Sequence, residues 1–347
     1  MRYPPAHEED DAHLTLQPWP GGKKNADRSR RRRRMLTAGV AIVAAAAIVA
    51  GVSLYNKTAD HAAPVGPLPV HLPTTPESYL GVYTNDSPAS YRGVTAFTSA
   101  TGARPDVVMY YSGWFVPFPT AFATTVASHG AVPLVQMNPS KISLAAIAAG
   151  RYDGYLSAYA EAVRAYHHPV IMSFGHEMNG SWYSWGYGHT SPKTFVAAWR
   201  HVVTLFRVLG AGNVTWLWTV NVVNNTRVGT IPSPARWWPG RSYVNWVGID
   251  GYYLEPNWQF IPLFGPTIAS VRTLTQDPIL IAETGATPTA GQPAKIADLV
   301  AGVHLYNLLG FVYFDATNSE HQAFGLSSPA AAAAFGKGAG SFTRLAS

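Results

Sequence analysis

The 347-residue chain contains no cysteine. That excludes disulfides, zinc–thiolate and iron–sulfur sites and a cysteine nucleophile, and it leaves the redox compartment open. Charge is scarce too: Asp, Glu, Lys and Arg make up 13% of the residues, against 47% that are hydrophobic. The formal net charge of +6 looks like a signal for nucleic acid until it is located. Residues 1–34 hold nine of the 25 basic residues, including Arg30 to Arg34, and five of the 19 acids. The other 313 residues are nearly neutral, so no broad basic face exists and no nucleic-acid partner is expected. Also missing are a G-x-S-x-G elbow, a phosphate-binding G-x-x-x-x-G-K-[ST] loop and a glycine-rich turn after the first strand candidate. His176-Glu177 starts like a zinc-protease helix, but Gly180 stands where the second His is needed. No metal or organic cofactor is called for.

What is present begins with an uncharged run at 35–55, directly after the five arginines. Twenty-one residues at about 1.5 Å each match the hydrocarbon thickness of a bilayer. Arginines stay on the cytoplasmic side, so the run reads as a single-pass transmembrane signal-anchor with everything after Tyr55 outside the cell. A cleaved export signal followed by secretion is the second reading, and Ser29-Arg30-Arg31 to Leu36 faintly resembles its twin-arginine form. Residues 1–34 read as a disordered basic cytoplasmic tail, and 56–76, with five prolines, as a stiff linker.

Residues 77–347 read as one domain. Short β-rich runs fall at 79–84, 106–111, 132–137, 170–174, 214–220, 246–252, 279–283 and 311–315. Most are continuously apolar, as expected of parallel strands buried on both faces. Helical patterns lie between them at 90–100, 120–129, 152–166, 192–209, 266–275, 293–309 and 329–335. The clearest starts at Pro192 behind a Ser191 N-cap and stops at Gly210, with Phe195, Trp199, Val202, Val203 and Phe206 on one face. Eight strands alternating with helices in about 270 residues predict a (β/α)8 TIM barrel.

Barrel chemistry gathers where strands end. Strand four runs into Gly175-His176-Glu177-Met178-Asn179-Gly180-Ser181-Trp182-Tyr183-Ser184-Trp185-Gly186, and strand seven ends at Glu283-Thr284-Gly285. Two glutamates thus enter one mouth from opposite walls. Glycosidic cleavage needs such a pair: an acid for the leaving oxygen and a carboxylate that attacks or activates water. Aromatic and amide neighbours suit sugars, which stack on indoles and share hydroxyl hydrogen bonds. Asn221, ending strand five, is a further candidate for the cleft. Trp237, Trp238 and Trp258 fall in long loops where a cleft is built, whereas Trp199, Trp216 and Trp218 read as core.

The HEMNGxWYxWG segment at 176–186, Glu283 in an AETG context and the strand end Asp250-Gly251-Tyr252-Tyr253 together resemble glycoside hydrolase family 26. That is the β-mannanase family of the retaining (β/α)8 clan, and the resemblance spans about 79–335. It implies that Glu177 is the general acid/base and Glu283 the nucleophile. It further implies that His176 hydrogen-bonds around the distorted sugar and that Tyr252 donates to Glu283. Trp182 would be a sugar platform, and Asn179 would fix the loop or support the residues that touch sugar. On aromatic geometry Trp185 is either a second sugar platform or plain packing. The acid should have a raised pKa from burial and the nucleophile a lowered one from its donors. The chain departs from the family at the sugar walls. Tyr313-Phe314-Asp315 ends strand eight where relatives carry Trp, Gln322-Ala323-Phe324 replaces an acidic–Trp pair, and Gln136-Met137-Asn138 lacks an aromatic. The expectation is a monomeric, membrane-tethered β-glycosidase acting on a polysaccharide outside the cell. A non-catalytic barrel that grips polysaccharide at the cell surface is the alternative.

Overall fold

The computed structural model describes residues 72–223, 231–318 and 321–344. The expected basic tail, the transmembrane run at 35–55 and the linker up to residue 71 lie outside the described residues. Among the described residues no helix is long and apolar enough to cross a membrane.

Eight parallel strands close into a barrel in chain order, with the first paired to the last. They are β1 Tyr79–Tyr83, β2 Val107–Gly113, β3 Val132–Asn138, β4 Val170–Phe174, β5 Val214–Asn221, β6 Trp246–Asp250, β7 Ile279–Thr284 and β8 Gly310–Phe314. Each lies where an apolar run predicts it, because a strand sandwiched between barrel interior and helix layer has no wet face. Inward positions pack Tyr79, Val107, Met109, Leu134, Ile171, Leu217, Trp246, Leu280 and Val312 into one core. Gly310 is required at the β8 start: its φ is +144°, and a Cβ there would lie 1.7 Å from the Tyr79 carbonyl oxygen.

The outer layer comprises α1 Arg92–Thr101, α2 Thr120–Ser128, α3 Leu144–Ala148, α4 Asp153–Tyr166, α5 Pro192–Val208, α6 Phe260–Arg272, α7 Gln292–Leu305 and α8 Pro329–Ala339. In α5 the Thr194 N–H donates to the Ser191 cap at 3.1 Å, and the predicted apolar face is buried. Two features differ from expectation. The sixth helix begins at Phe260, with Pro266 inside it rather than at its start. Phe260 is the reason: its N–H donates to Asp298 at 2.7 Å and its ring fills the space above Gly302 of α7. Helix α3, five residues capped by Ser143, is too short to leave a periodic signal. Between β5 and β6, where no helical pattern is read, the chain forms two 3-10 turns, Pro234–Trp237 and Arg241–Tyr243.

The amino-terminal end of the barrel is closed by partnered carboxyl groups. Arg344 Nε lies 2.7 Å from Asp106 Oδ2, and the Leu80 N–H donates to the same oxygen at 3.0 Å. His304 Nδ1 is 2.7 Å from Glu77.

Candidate active site at the carboxyl end of the barrel

Beyond β4 the backbone turns sharply. Gly175 has φ +58°, and a Cβ on it would meet the Phe195 ring at 3.1 Å, so glycine is the residue that fits. Glu177 is also left-handed, at φ +53°, a conformation that costs a non-glycine residue about 1 kcal/mol or more. Two backbone bonds hold it there: the Glu177 N–H donates to Thr219 O at 3.0 Å, and Glu177 O accepts from the Gly180 N–H at 2.8 Å. Strain of this kind persists where neighbours over-determine the backbone, and here it aims one carboxyl into the mouth.

Both oxygens of that carboxyl are engaged. Asn221 Nδ2 donates to Oε1 at 2.5 Å, and the Trp182 indole N–H donates to Oε2 at 2.6 Å. Asn221 is itself pinned by Asn179, whose Nδ2 donates to Asn221 O at 2.8 Å and whose Oδ1 accepts the Asn221 N–H at 2.9 Å. Asn179 thus ties the loop after β4 to the end of β5. His176 Nε2 lies 2.9 Å from the Tyr183 hydroxyl. For Trp185 the structure selects packing and corrects the reading as a sugar platform. It is 1% exposed, stacks on Tyr183 at 4.2 Å, and donates its N–H to His176 O at 2.8 Å. It therefore supports the His176 loop from behind. Trp182 remains partly open to the mouth.

Across the mouth, Glu283 of β7 receives two phenols: Tyr252 donates to Oε1 and Tyr111 to Oε2. Tyr252 faces the mouth, while its neighbour Tyr253 is buried and bridges to Ala286, as strand alternation demands. Tyr83 stacks on Phe314 at 4.6 Å and meets Tyr111 edge-on at 5.1 Å. Phe324 backs Tyr252 at 4.4 Å. Phe314 and Phe324, two of the residues that depart from the family pattern, thus support a wall of tyrosines. Trp258 is half-buried against the same cluster and fits a place at the cleft. Trp237 is fully buried and Trp238 packs edge-on against Trp218, so Trp237 has no free face for a sugar.

The electrostatics divide the two glutamates. Burial pushes Glu177 up to about 8, the charge of Glu283 adds to the rise, and the Asn221 and Trp182 hydrogen bonds oppose it. Glu283 also lies above its ordinary value through burial, against the pull of Tyr111 and Tyr252. The lowered value expected for Glu283 is therefore not reached: two phenols offset desolvation only in part. The order of the pair survives, with Glu177 keeping its proton near neutral pH and Glu283 the readier to ionise.

Sequence reasoning missed two neighbours. Tyr111 occupies the inward register of β2 after Val107 and Met109, and strand alternation alone could have found it. Asp250, the last residue of β6, is in register with both Asn221 and Glu283. It is fully buried, and among the described residues neither oxygen meets a hydrogen-bond partner. Burial, then the charges of Glu283 and Glu177, drives its pKa well up. Among the described residues no cluster of three or more His, Asp or Glu is arranged to hold a metal ion.

Comparison with known proteins bears on this geometry. Residues 137–267 match the model of Glycosyl hydrolase family 26. Endoglucanase H of Acetivibrio thermocellus is 30% identical over 229 residues, covering 62% of this chain and 25% of that protein. Beta-1,3-xylanase TXYA of a Vibrio species is 29% identical over 116 residues, 32% of this chain and 23% of the relative. The chain thus spans about a quarter of the length of the curated relatives it matches. Among solved structures, a Cellulomonas fimi endo-beta-1,4-mannanase double mutant superposes with a TM-score of 0.62 at 17% identity, covering 78% of this chain and 73% of that one. The Bacteroides ovatus β-mannanase BoMan26A gives 0.57 at 18%, covering 78% and 90%. At such identities these two establish the shared barrel fold.

Proposed function

We propose that this chain, a member of glycoside hydrolase family 26, cleaves β-glycosidic bonds within a polysaccharide with retention of configuration. The observation that carries the reading is the asymmetry of the carboxyl pair: one acid held to about 8, facing another held by two phenols. In the first step protonated Glu177 gives its proton to the glycosidic oxygen as Glu283 attacks the anomeric carbon, and the leaving chain departs. Glu177, now ionised, takes a proton from water, which opens the Glu283 ester and regenerates both groups. Asn221 and Trp182 steady the ionised form of Glu177 in that second half, and Tyr111 and Tyr252 steady Glu283 before and after the ester. Trp182 also offers a sugar a stacking face at the leaving side.

The names of the relatives, an endoglucanase, β-1,3-xylanases and mannanases, point to a neutral β-linked backbone and to cleavage within it. Mannan and mixed-linkage glucan are the substrates to try first. We place the barrel outside the cell, tethered by 35–55 or released when that segment is cut. The test is reducing-sugar release across a panel of β-mannan, mixed-linkage β-glucan and β-1,3-xylan by the wild type and by Glu177→Ala and Glu283→Ala. Turnover of one polymer by the wild type alone supports the reading. Turnover of none, or equal turnover by either variant, contradicts it.

A further inference from the structure

Immediately beyond β2 the chain does something that burial does not explain. Phe115 is 60% exposed and Val116 47%, at the carboxyl end of the barrel, where the cleft also opens. Phe115 is held at φ +69°, the left-handed region that side chains other than glycine avoid. Its ring lies 5.9 Å from that of Tyr152 and 5.4 Å from that of Tyr155. Trp114 closes the group from below, 5.0 Å from Tyr155 and 6.2 Å from Phe174, whose ring packs against Phe195 and Trp199 of the helix layer.

The group is rigidly built. The Tyr155 hydroxyl donates to Val116 O at 3.0 Å and so ties the loop to α4. The start of α4 is anchored in turn by Asp153, buried between the two tyrosines in sequence, whose Oδ1 lies 2.6 Å from His201 Nε2 of α5. A loop that left its phenylalanine outside by accident would not need an anchored helix end and a strained backbone to present it.

We propose that Phe115, Tyr152 and Tyr155 form a second carbohydrate-binding face, separate from the catalytic mouth, that stacks against pyranose rings of the same neutral polysaccharide. The inference rests on the reading above for the identity of the polymer. Continuity favours a glycan: β2 carries Tyr111 to Glu283 and, four residues later, Phe115 to the rim, so one strand end serves both places. Size favours it as well. Partly exposed rings of this kind present a few hundred Å² at most, enough for one or two sugars, whereas a stable homodimer buries about 800 Å² on each partner. The face is aromatic with two phenol hydroxyls, the mixture of flat apolar surface and polar edge that a sugar offers in return. Distal stacking of this kind holds a long chain near the mouth without touching the bond that breaks.

The test uses the full chain in the Glu283→Ala background, so that polymer survives, with affinity electrophoresis through soluble galactomannan, mixed-linkage β-glucan and β-1,3-xylan. Phe115→Ala should weaken retention by the polymer that the parent binds by about five- to tenfold, and Phe115→Trp should restore it. Tyr152→Ala provides a second, independent loss. In the otherwise wild-type chain, Phe115→Ala should leave kcat/KM on a short aryl glycoside within about twofold, while KM for polymer rises. Retention unchanged by both Phe115→Ala and Tyr152→Ala would overturn the proposal. So would a parent retained by none of the polymers. If Phe115→Ala instead abolishes a dimer in sedimentation, or binding to phosphatidylglycerol vesicles, with polymer retention unchanged, the face serves a second copy or a lipid surface and the proposal fails. Failure of the catalytic reading is seen separately, as turnover that survives Glu283→Ala.

Discussion

The two ends of this barrel treat buried carboxyl groups in opposite ways. At the amino-terminal end Asp106 is buried and answered by the Arg344 guanidinium and the Leu80 N–H, and Glu77 is answered by His304. Burial still leaves Asp106 above its ordinary pKa, but Arg344 limits the rise. At the carboxyl end three buried acids, Glu177, Glu283 and Asp250, meet among the described residues only neutral donors or none. Folding alone would favour the first arrangement, since an unpaired buried acid costs stability as it ionises. The second arrangement makes sense as chemistry: an acid must keep a proton to give, and a cation at its side would remove it.

The comparison is broken most severely by cutting the carboxyl end. Glu177→Ala and Glu283→Ala are each expected to lower kcat by about 10³-fold or more on the polymer that the wild type turns over. Both should unfold as cooperatively as the wild type in thermal melts, and stability should rise or hold near neutral pH because a buried acid has been removed. Activity lost together with the cooperative transition would mean that the glutamates are structural.

Removing one phenol from Glu283 is a milder cut. Tyr111→Phe or Tyr252→Phe takes away a donor to the charged form, so the pKa of Glu283 rises further and the acidic limb of the kcat/KM profile moves to higher pH. The accompanying rate loss should be about 10- to 100-fold. The alkaline limb, set by Glu177 losing its proton at about 8, should stay in place. A shift of the alkaline limb alone would show that the phenols govern Glu177 instead.

Stability against pH reports mainly on the carboxyl end. Asp106 is raised as well, so both ends lose stability as pH rises, but the carboxyl end does so over the wider window. Glu177 and Asp250 have folded pKa values above their unfolded ones, so the unfolded chain ionises first, from about pH 4 upward. Their contribution is complete below that range and is lost as pH rises toward about 8, where Glu177 ionises in the folded state. Denaturant midpoints should therefore fall over this window, and Glu177→Gln or Asp250→Asn should flatten the slope. A midpoint that climbs through the same window in the wild type would contradict the assignment.

The smallest effect belongs to the sealed end. Arg344→Ala leaves Asp106 without its cation and should cost about 2 kcal/mol of stability, discounted for the partial exposure of Arg344. It should leave kcat/KM unchanged, because Asp106 precedes β2 at the end of the barrel opposite the mouth. An activity loss larger than the loss of folded protein would show that the two ends communicate.

How much of this was legible in the sequence follows from which forces leave local marks. All eight strands were readable, because burial on both faces writes a continuous apolar run. The glutamates were readable because strand ends and the motif at 176–186 mark them. Helix α6 was misplaced because the proline rule pointed to Pro266, whereas burial of Phe260 against Gly302 sets the start. The role of Trp185 was not legible because a motif records that an indole is needed, not which way it faces. The pKa of Glu283 was expected to fall because its donors could be inferred and the depth of its burial could not. Tyr111 lies 172 residues from Glu283, and nothing local in the chain announces that contact.

The central claim is the division of labour between the two glutamates, and trapping tests it most directly. An activated 2-deoxy-2-fluoro-β-glycoside of the sugar found to be turned over should inactivate the enzyme slowly, leaving one sugar on one peptide. The label is predicted on the peptide that contains Glu283, and Glu177→Ala should still acquire it from a substrate whose leaving group needs no proton. A label on Glu177, or hydrolysis with inverted configuration and no label at all, would contradict the account.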